Sequence, residues 1–185
     1  MYTNAYWTWE AEIPEAMCTR FVGHFNDELA QKGGINAEGK EITLNADIRE
    51  TDLVWISSGE IFDCLFRYIQ SANINGEWKF DLSGMEDVQL GRYSVDGHYG
   101  WHIDGDRPCA ENFQRKLSCS LQLSDPDSYE GGDLVLRLND RETYVAPRKQ
   151  GTIIVFPSFR EHQVTPVTSG VRYSAVGWMR GPAFR

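Results

Sequence analysis

Residues 152–179 read TIIVFPSFREHQVTPVTSGVRYSAVGWM, in which 152–156, 163–167 and 171–179 are short runs rich in β-branched and aromatic residues. Pro157-Ser158 and Thr168-Ser169-Gly170 separate them, which is how strands and turns alternate in sequence. The texture holds back to about Trp78, through further runs at 142–146, 133–138, 117–123 and 88–95. Upstream the period changes. Residues 14–25 open on Pro14 and set Ala16, Met17, Phe21 and Phe25 near one helical face; within 60–72, Ile61, Leu65, Phe66 and Ile69 recur at i, i+4, i+5 and i+8. Between them, Lys32-Gly33-Gly34 and Glu38-Gly39-Lys40 read as flexible loop. Two helices followed by at least seven short strands predict a mostly β fold with flanking α, an antiparallel sandwich or distorted barrel whose N-terminal helices pack on one outer sheet.

Length and composition narrow the classes. The 185 residues fit one domain, read as 1–185, with 1–80 a helical support region and 81–185 the β core. With 41% apolar and 12% aromatic residues the chain can bury a core, and no run approaches the roughly 18 apolar residues of a membrane span. The start Met1-Tyr2-Thr3-Asn4 carries neither the basic nor the apolar part of a secretory signal, so a cytoplasmic protein is expected. Cys18, Cys64, Cys109 and Cys119 are scattered without a Cys-x-x-Cys pair and read as reduced structural or surface thiols. A net charge of −9 disfavours long-range attraction to nucleic acid or an anionic membrane, which leaves a peptide, protein or small molecule as the expected partner.

Gly100-Trp101-His102-Ile103-Asp104-Gly105-Asp106 places a His-x-Asp element on or just after a strand. Residues i and i+2 of an extended chain point to the same side, so His102 and Asp104 can aim an imidazole and a carboxylate at one point. His162, a short loop beyond the apolar run 152–156, supplies a second imidazole. Two imidazoles and a carboxylate form the facial triad that suits iron(II) and leaves positions open for a chelating cosubstrate and oxygen. Asp106 and His98 are rival ligands; His98 and His102 have the i, i+4 spacing of a helical metal pair, but Gly97, Gly100 and Gly105 disfavour a helix there, and His98 is assigned a substrate-side or structural role. In the last run, alternation sets Arg172, Ser174, Val176 and Trp178 on one face. If that face is internal, the guanidinium needs an anionic partner, which the distal carboxylate of 2-oxoglutarate would supply. Ser174 shares the face, and Tyr93 can place its hydroxyl on the same carboxylate or fill the core.

As a set these residues resemble the prolyl 4-hydroxylase-like branch of the 2-oxoglutarate and iron(II)-dependent oxygenases. The matching elements are Arg92-Tyr93-x3-Gly97-x-Tyr99-x2-His102-x-Asp104, Tyr129-x-Gly131-Gly132-Asp133-Leu134, Gly151-x4-Phe156-Pro157-x4-His162-x-Val164-x-Pro166-Val167, and Gly170-x-Arg172-Tyr173-Ser174 with Trp178. The resemblance implies a double-stranded β-helix (jelly-roll) core, iron(II) held by two imidazoles and one carboxylate, 2-oxoglutarate as cosubstrate meeting Arg172, oxygen as oxidant, and hydroxylation of a C–H bond. It departs from the collagen-type enzymes in carrying Arg172 where a Lys is usual. A prolyl residue in a peptide or protein is the expected target, with His98, Tyr99, Trp101 and Trp178 as candidate substrate contacts. The alternatives are a free amino acid, another small molecule or nucleic acid, and, more remotely, a non-catalytic cupin-like metal-binding module.

Overall fold

The computed structural model describes residues 4–34, 44–105 and 113–184. Its strands begin with β1 (Trp7–Trp9), β2 (Gln31–Lys32), β3 (Arg49–Glu50), β4 (Asp52–Ile56), β5 (Gly84–Met85), β6 (Val88–Tyr93), β7 (His98–His102) and β8 (Phe113–Gln122). They continue with β9 (Tyr129–Gly131), β10 (Leu134–Asn139), β11 (Glu142–Val145), β12 (Ile153–Pro157), β13 (His162–Val164), β14 (Val167–Gly170) and β15 (Arg172–Pro182). Helices α1 (Glu15–Val22) and α2 (Glu60–Asn75) lie among the first strands. One antiparallel sheet runs β1-β12-β8-β15-β6-β4-β2, with β5 added against β15; a second runs β11-β10-β13-β7-β3, and β14 pairs with β9. This is the double-stranded β-helix, two antiparallel sheets closed face to face.

The large sheet is apolar on both faces at one end and polar inside at the other, and strand alternation decides which residue goes where. On β8, Leu117, Cys119 and Leu121 join Ile153, Val155, Ala175 and Met179 in a core covered by the helices. The helices answer with Cys18 and Phe21 from α1 and Ile61, Leu65 and Ile69 from α2, all essentially inaccessible. The opposite face of the same sheet sends Ile154 and Phe156 to meet Leu134, Leu136 and Val164 between the sheets. Ser118, Ser120 and Gln122 of β8 share that inner face and are buried there. Polar groups out of water must find partners, so this end of the sandwich has to contain a hydrogen-bonded site.

Several expectations are corrected in detail. The N-terminal region is not a purely helical support: β1 pairs with β12 and β4 pairs with β6, so it supplies both flanks of the large sheet. Three residues of β1 are too few to show a period, and the five of β4 carry no turn signal on their N-terminal side to set them off. Of the two expected loops, 32–34 includes the end of β2, with Gly33 N donating to Thr51 O at 2.8 Å, and 38–40 lies outside the described residues. The run 163–167 splits into β13 and β14 because Pro166 cannot donate to a ladder. Phe66, which spacing grouped with Leu65, is 37% exposed, while Leu65 is at 0%. Cys18, Cys64 and Cys119 are free and buried, and Cys109 and Asp106 lie outside the described residues. No described helix is long and apolar enough to cross a membrane.

Leu65→Ala is expected to destabilise the domain by about 2–5 kcal/mol, because the void between α2 and the sheet cannot fully collapse. Phe66→Ala, one residue on but half out of the interface, is expected to lose distinctly less. Urea unfolding of the two variants checks the pair; equal losses would contradict the assigned helix face.

Candidate metal centre

β13 pairs with β7 so that His162 stands opposite His102, while Val164 stands opposite Tyr99. Two residues on one strand against three on the other make a β-bulge. The extra residue turns Tyr99 to the side of His102, where the two rings stack with centroids 3.5 Å apart. Just past β7, Asp104 N and Gly105 N both donate to Ser158 O, at 3.1 and 2.9 Å, and this fixes the turn that carries the Asp104 carboxylate. His102 and Asp104 thereby meet His162, which strand β13 delivers from 60 positions further along the chain.

Ring orientation is set from behind. His102 Nδ1 lies 2.8 Å from Gly100 O, and His162 Nδ1 lies 2.9 Å from Arg160 O. A carbonyl oxygen only accepts, so each Nδ1 carries a hydrogen and each Nε2 is the nitrogen turned to the centre. His102 Nε2 is 3.7 Å from Asp104 Oδ1, and His162 Nε2 is 3.4 Å from Asp104 Oδ2. Two ligands at right angles, each about 2.1 Å from one ion, would be about 3 Å apart, so little adjustment separates these atoms from a coordination sphere. All three ligand atoms lie within 4.8 Å of one another.

Burial pushes the His102 imidazole down to about 3, and the nearby His162 acts in the same direction. For Asp104 burial acts upward, but His162, His102 and Arg115 together outweigh it and hold the carboxyl at about 2. At neutral pH the site therefore offers an ionised carboxylate and a neutral His102, the states that bind a metal ion. Ser118 Oγ donates to Asp104 Oδ2 at 2.7 Å and is itself 2.9 Å from Ser158 Oγ. This pair was not singled out in the sequence. The signal was the strict alternation of Leu117, Cys119 and Leu121 with Ser118, Ser120 and Gln122.

Arg172 is 1% exposed and lines the same cavity as the three ligand residues, together with Tyr93, Ser174, Tyr99 and Trp178. Its Nη2 donates to Gln122 Oε1 at 2.9 Å and its Nη1 to Ser174 Oγ at 3.2 Å, while Nε is buried without a partner among the described residues. The guanidinium carbon sits 5.2 Å from the Tyr93 ring centroid. Among the described residues no carboxylate lies within ion-pair distance of it, so the charge is compensated by neutral groups alone. Gly132 makes room: it has a left-handed φ of +63°, and a Cβ there would come within 2.9 Å of Arg172 Cδ. Gln122, the strongest neutral partner, was also missed in the sequence, for want of a sign of which face of β8 is internal. The donor set fits iron(II), and the uncompensated guanidinium fits a dicarboxylate cosubstrate.

Of the candidate substrate contacts, Tyr99 and Trp178 line the cavity and His98 and Trp101 do not. The bulge explains the split, because residues on either side of it lose their simple alternation. His98 turns its ring nitrogens to Asp96 O and Asp47 O, at 2.8 and 3.3 Å. Trp101 packs under the Arg137 guanidinium, 4.4 Å from the ring centroid. Trp178 lies beneath Arg115, at 4.0 Å, and Arg115 is in turn bonded to Glu86.

Comparison with known proteins gives a consistent set of likenesses. A family described as the 2OG-Fe(II) oxygenase superfamily matches residues 88–180. A PKHD-type hydroxylase from Synechococcus sp. (strain CC9605) is 42% identical over 95 residues, which cover 51% of this chain and 42% of that protein. The chain thus spans less than half the length of this relative. A PKHD-type hydroxylase from Acinetobacter baumannii (strain SDF) is 35% identical over 182 residues, covering 91% of this chain and 76% of that one. Among solved structures, a Trichoplax adhaerens prolyl hydroxylase in complex with a hypoxia inducible factor oxygen degradation domain peptide fragment superposes with a TM-score of 0.71 at 17% identity. That superposition covers 96% of this chain and 84% of the other.

Asp104→Ala and His162→Ala are each expected to abolish specific iron(II) binding with the fold intact, since each removes one of three ligands. Ser118→Ala, which only loosens Asp104, is expected to weaken iron(II) affinity about 10- to 100-fold. Anaerobic competition against a chromogenic chelator measures all three, and wild-type affinity in Ser118→Ala would remove that serine from the support of the site.

Proposed function

The chain belongs to the 2OG-Fe(II) oxygenase superfamily, and from that premise we propose that it is an iron(II)- and 2-oxoglutarate-dependent dioxygenase that hydroxylates a C–H bond, with a prolyl residue of a peptide or protein as its target. One observation carries the catalytic part. Arg172 is fully buried, without an acid partner among the described residues, in the cavity that also gathers His102, Asp104 and His162. An unpaired buried charge is too costly to keep without a purpose, and the planar fork of Arg172 suits one end of a dicarboxylate whose other end reaches the metal. The prolyl part is supported by the PKHD-type hydroxylases and the prolyl hydroxylase structure that the chain resembles.

In this reading His102, Asp104 and His162 hold iron(II), with Gly100 O and Arg160 O orienting the imidazoles and Ser118 the carboxylate. The bound metal with 2-oxoglutarate and oxygen supplies the oxidation of the C–H bond, consuming the cosubstrate to succinate and carbon dioxide. The protein's own part is positional. Gln122 and Ser174 hold the Arg172 guanidinium in place, so its remaining donors face the distal carboxylate. Tyr99 walls His102 on one side, and Trp178 forms part of the same lining, which keeps bulk water from the centre. No side chain in the cavity has to serve as nucleophile or general base.

The test is to incubate the iron-loaded protein with 2-oxoglutarate, oxygen and Pro-containing peptides, following succinate and the gain of one oxygen on proline by mass spectrometry. Succinate formed only with a free amino acid or with alkylated nucleic acid would keep the oxygenase and overturn the prolyl target. No succinate with any of them would overturn both. Arg172→Ala is expected to weaken 2-oxoglutarate binding by about 30- to several-thousand-fold, the loss of one partner of a buried charge pair of about 2–5 kcal/mol, while iron affinity stays near wild type. An unchanged 2-oxoglutarate affinity, read by calorimetry, would place the cosubstrate elsewhere.

A further inference from the structure

A second arginine stands at the mouth of the centre with the same anomaly as Arg172. Arg49, on β3, is 7% exposed, and its Nη1 donates to Gly34 O at 3.2 Å. Its Nε and Nη2 are buried and find no partner among the described residues. The guanidinium lies 4.4 Å above the Tyr99 ring, and Tyr99 is the ring stacked on His102, so Arg49 is two stacking distances from a metal-ligating imidazole. It lines a cavity that opens onto Asp104 and is walled by Trp55, Tyr99 and Trp178.

The neighbouring cations are accounted for. Lys32 is paired with Glu50 and Asp52, Arg115 with Glu86, and Arg92 with Asp27 and Asp52. Among the described residues Arg49 has no carboxylate within ion-pair distance. Apart from the ligand Asp104, the charged residues lining this mouth are Lys32, Arg49 and Arg115, in a chain whose net charge is −9. A buried guanidinium with two nitrogens, Nε and Nη2, unpartnered among the described residues is costly unless an anion meets it, and a carboxylate matches that fork through two parallel hydrogen bonds. The stack on Tyr99 pre-orients the fork, so little freedom is lost when the anion arrives. Gly33 makes room for the guanidinium itself, since a Cβ there would fall 2.5 Å from Arg49 Nε.

We infer that the substrate carries a carboxylate beside the bond to be oxidised and that Arg49 receives it. The inference rests on the oxygenase reading for its placement and narrows the substrate class to acidic peptides. The carboxylate is an Asp or Glu side chain near the target, or a free C-terminus at that position; both offer the same fork-shaped acceptor.

Short Pro-containing peptides separate these sources. One series sets Glu or Gln at each of the three positions on either side of the proline; another ends close after it as the free acid or the amide. Binding is measured calorimetrically to the iron- and 2-oxoglutarate-loaded protein without oxygen, so the readout does not need turnover. At one position the acidic peptide is expected to bind wild type at least about 30-fold more tightly than its amide counterpart. Arg49→Gln is expected to reduce that ratio to near unity, and Arg49→Lys, which keeps the charge without the fork, to an intermediate value. A thermal melt and the 2-oxoglutarate affinity report whether either variant has lost the fold. Equal binding of every acid–amide pair by wild type, absence of saturable binding, or a preference that survives in a folded Arg49→Gln would overturn the inference. If the preference holds but no succinate forms when oxygen is admitted, the oxygenase reading fails and the carboxylate site stands.

Discussion

Asp104 is ionised with its side chain only 7% exposed, and Arg172 is charged at 1% residue exposure on the inner face of the same sandwich. Neither charge would remain there unless fixed dipoles replaced the water it gave up. Much of the local architecture follows from that need. Ser118 and Ser158 serve Asp104, Gln122 and Ser174 serve Arg172, and all four are buried polar residues. Two of these supports, Ser118 and Gln122, come from alternate positions on β8, the strand that lies between β12 and β15. A central strand is the right place for them, because its backbone is bonded on both sides and cannot drift.

The two faces of the large sheet divide the work. Outside, Leu117, Cys119 and Leu121 anchor β8 to α1 and α2 through apolar packing, which is insensitive to direction. Inside, the intervening residues make directional bonds whose geometry depends on where the backbone sits. Helix packing therefore stiffens the platform from which the site is aimed, and a loss of packing at α2 is felt as a loss of precision on the opposite face. The second sheet has the complementary task of delivering His102 and His162 on paired strands, so that the two imidazoles are positioned by one ladder.

What the sequence revealed and what it hid follow from the same geometry. The i, i+2 rule was enough for His102 and Asp104, and alternation correctly grouped Arg172, Ser174, Val176 and Trp178, which all line the cavity. Alternation is a local property and can be read locally. It fails at a bulge, and the bulge in β7 is why Tyr99 reaches the cavity while His98 and Trp101, drawn from the same five-residue strand, do not. Gln122 and Arg49 were hidden for a different reason. Each matters because of a partner far away in sequence, and only the closed sandwich puts Gln122 beside Arg172 or Arg49 over Tyr99. The flanking strands β1 and β4 were missed because their pairing partners, not their own patterns, define them.

Charge balance separates the oxygenase reading from a bare metal-binding module of the same fold. The triad brings one negative charge to a divalent ion, and Arg172 adds a positive one that the described residues leave uncompensated. A module that bound only the metal would hold surplus positive charge in a cavity shielded from water, which is unfavourable. A dicarboxylate that chelates the ion with one end and meets Arg172 with the other cancels that surplus, so metal, cosubstrate and guanidinium reach neutrality together. Neutrality of the loaded inner cavity also isolates the mouth. Arg49 then faces the incoming substrate as a cation whose charge the inner site does not neutralise, and the mouth selects on charge in its own right, even though the chain as a whole is acidic.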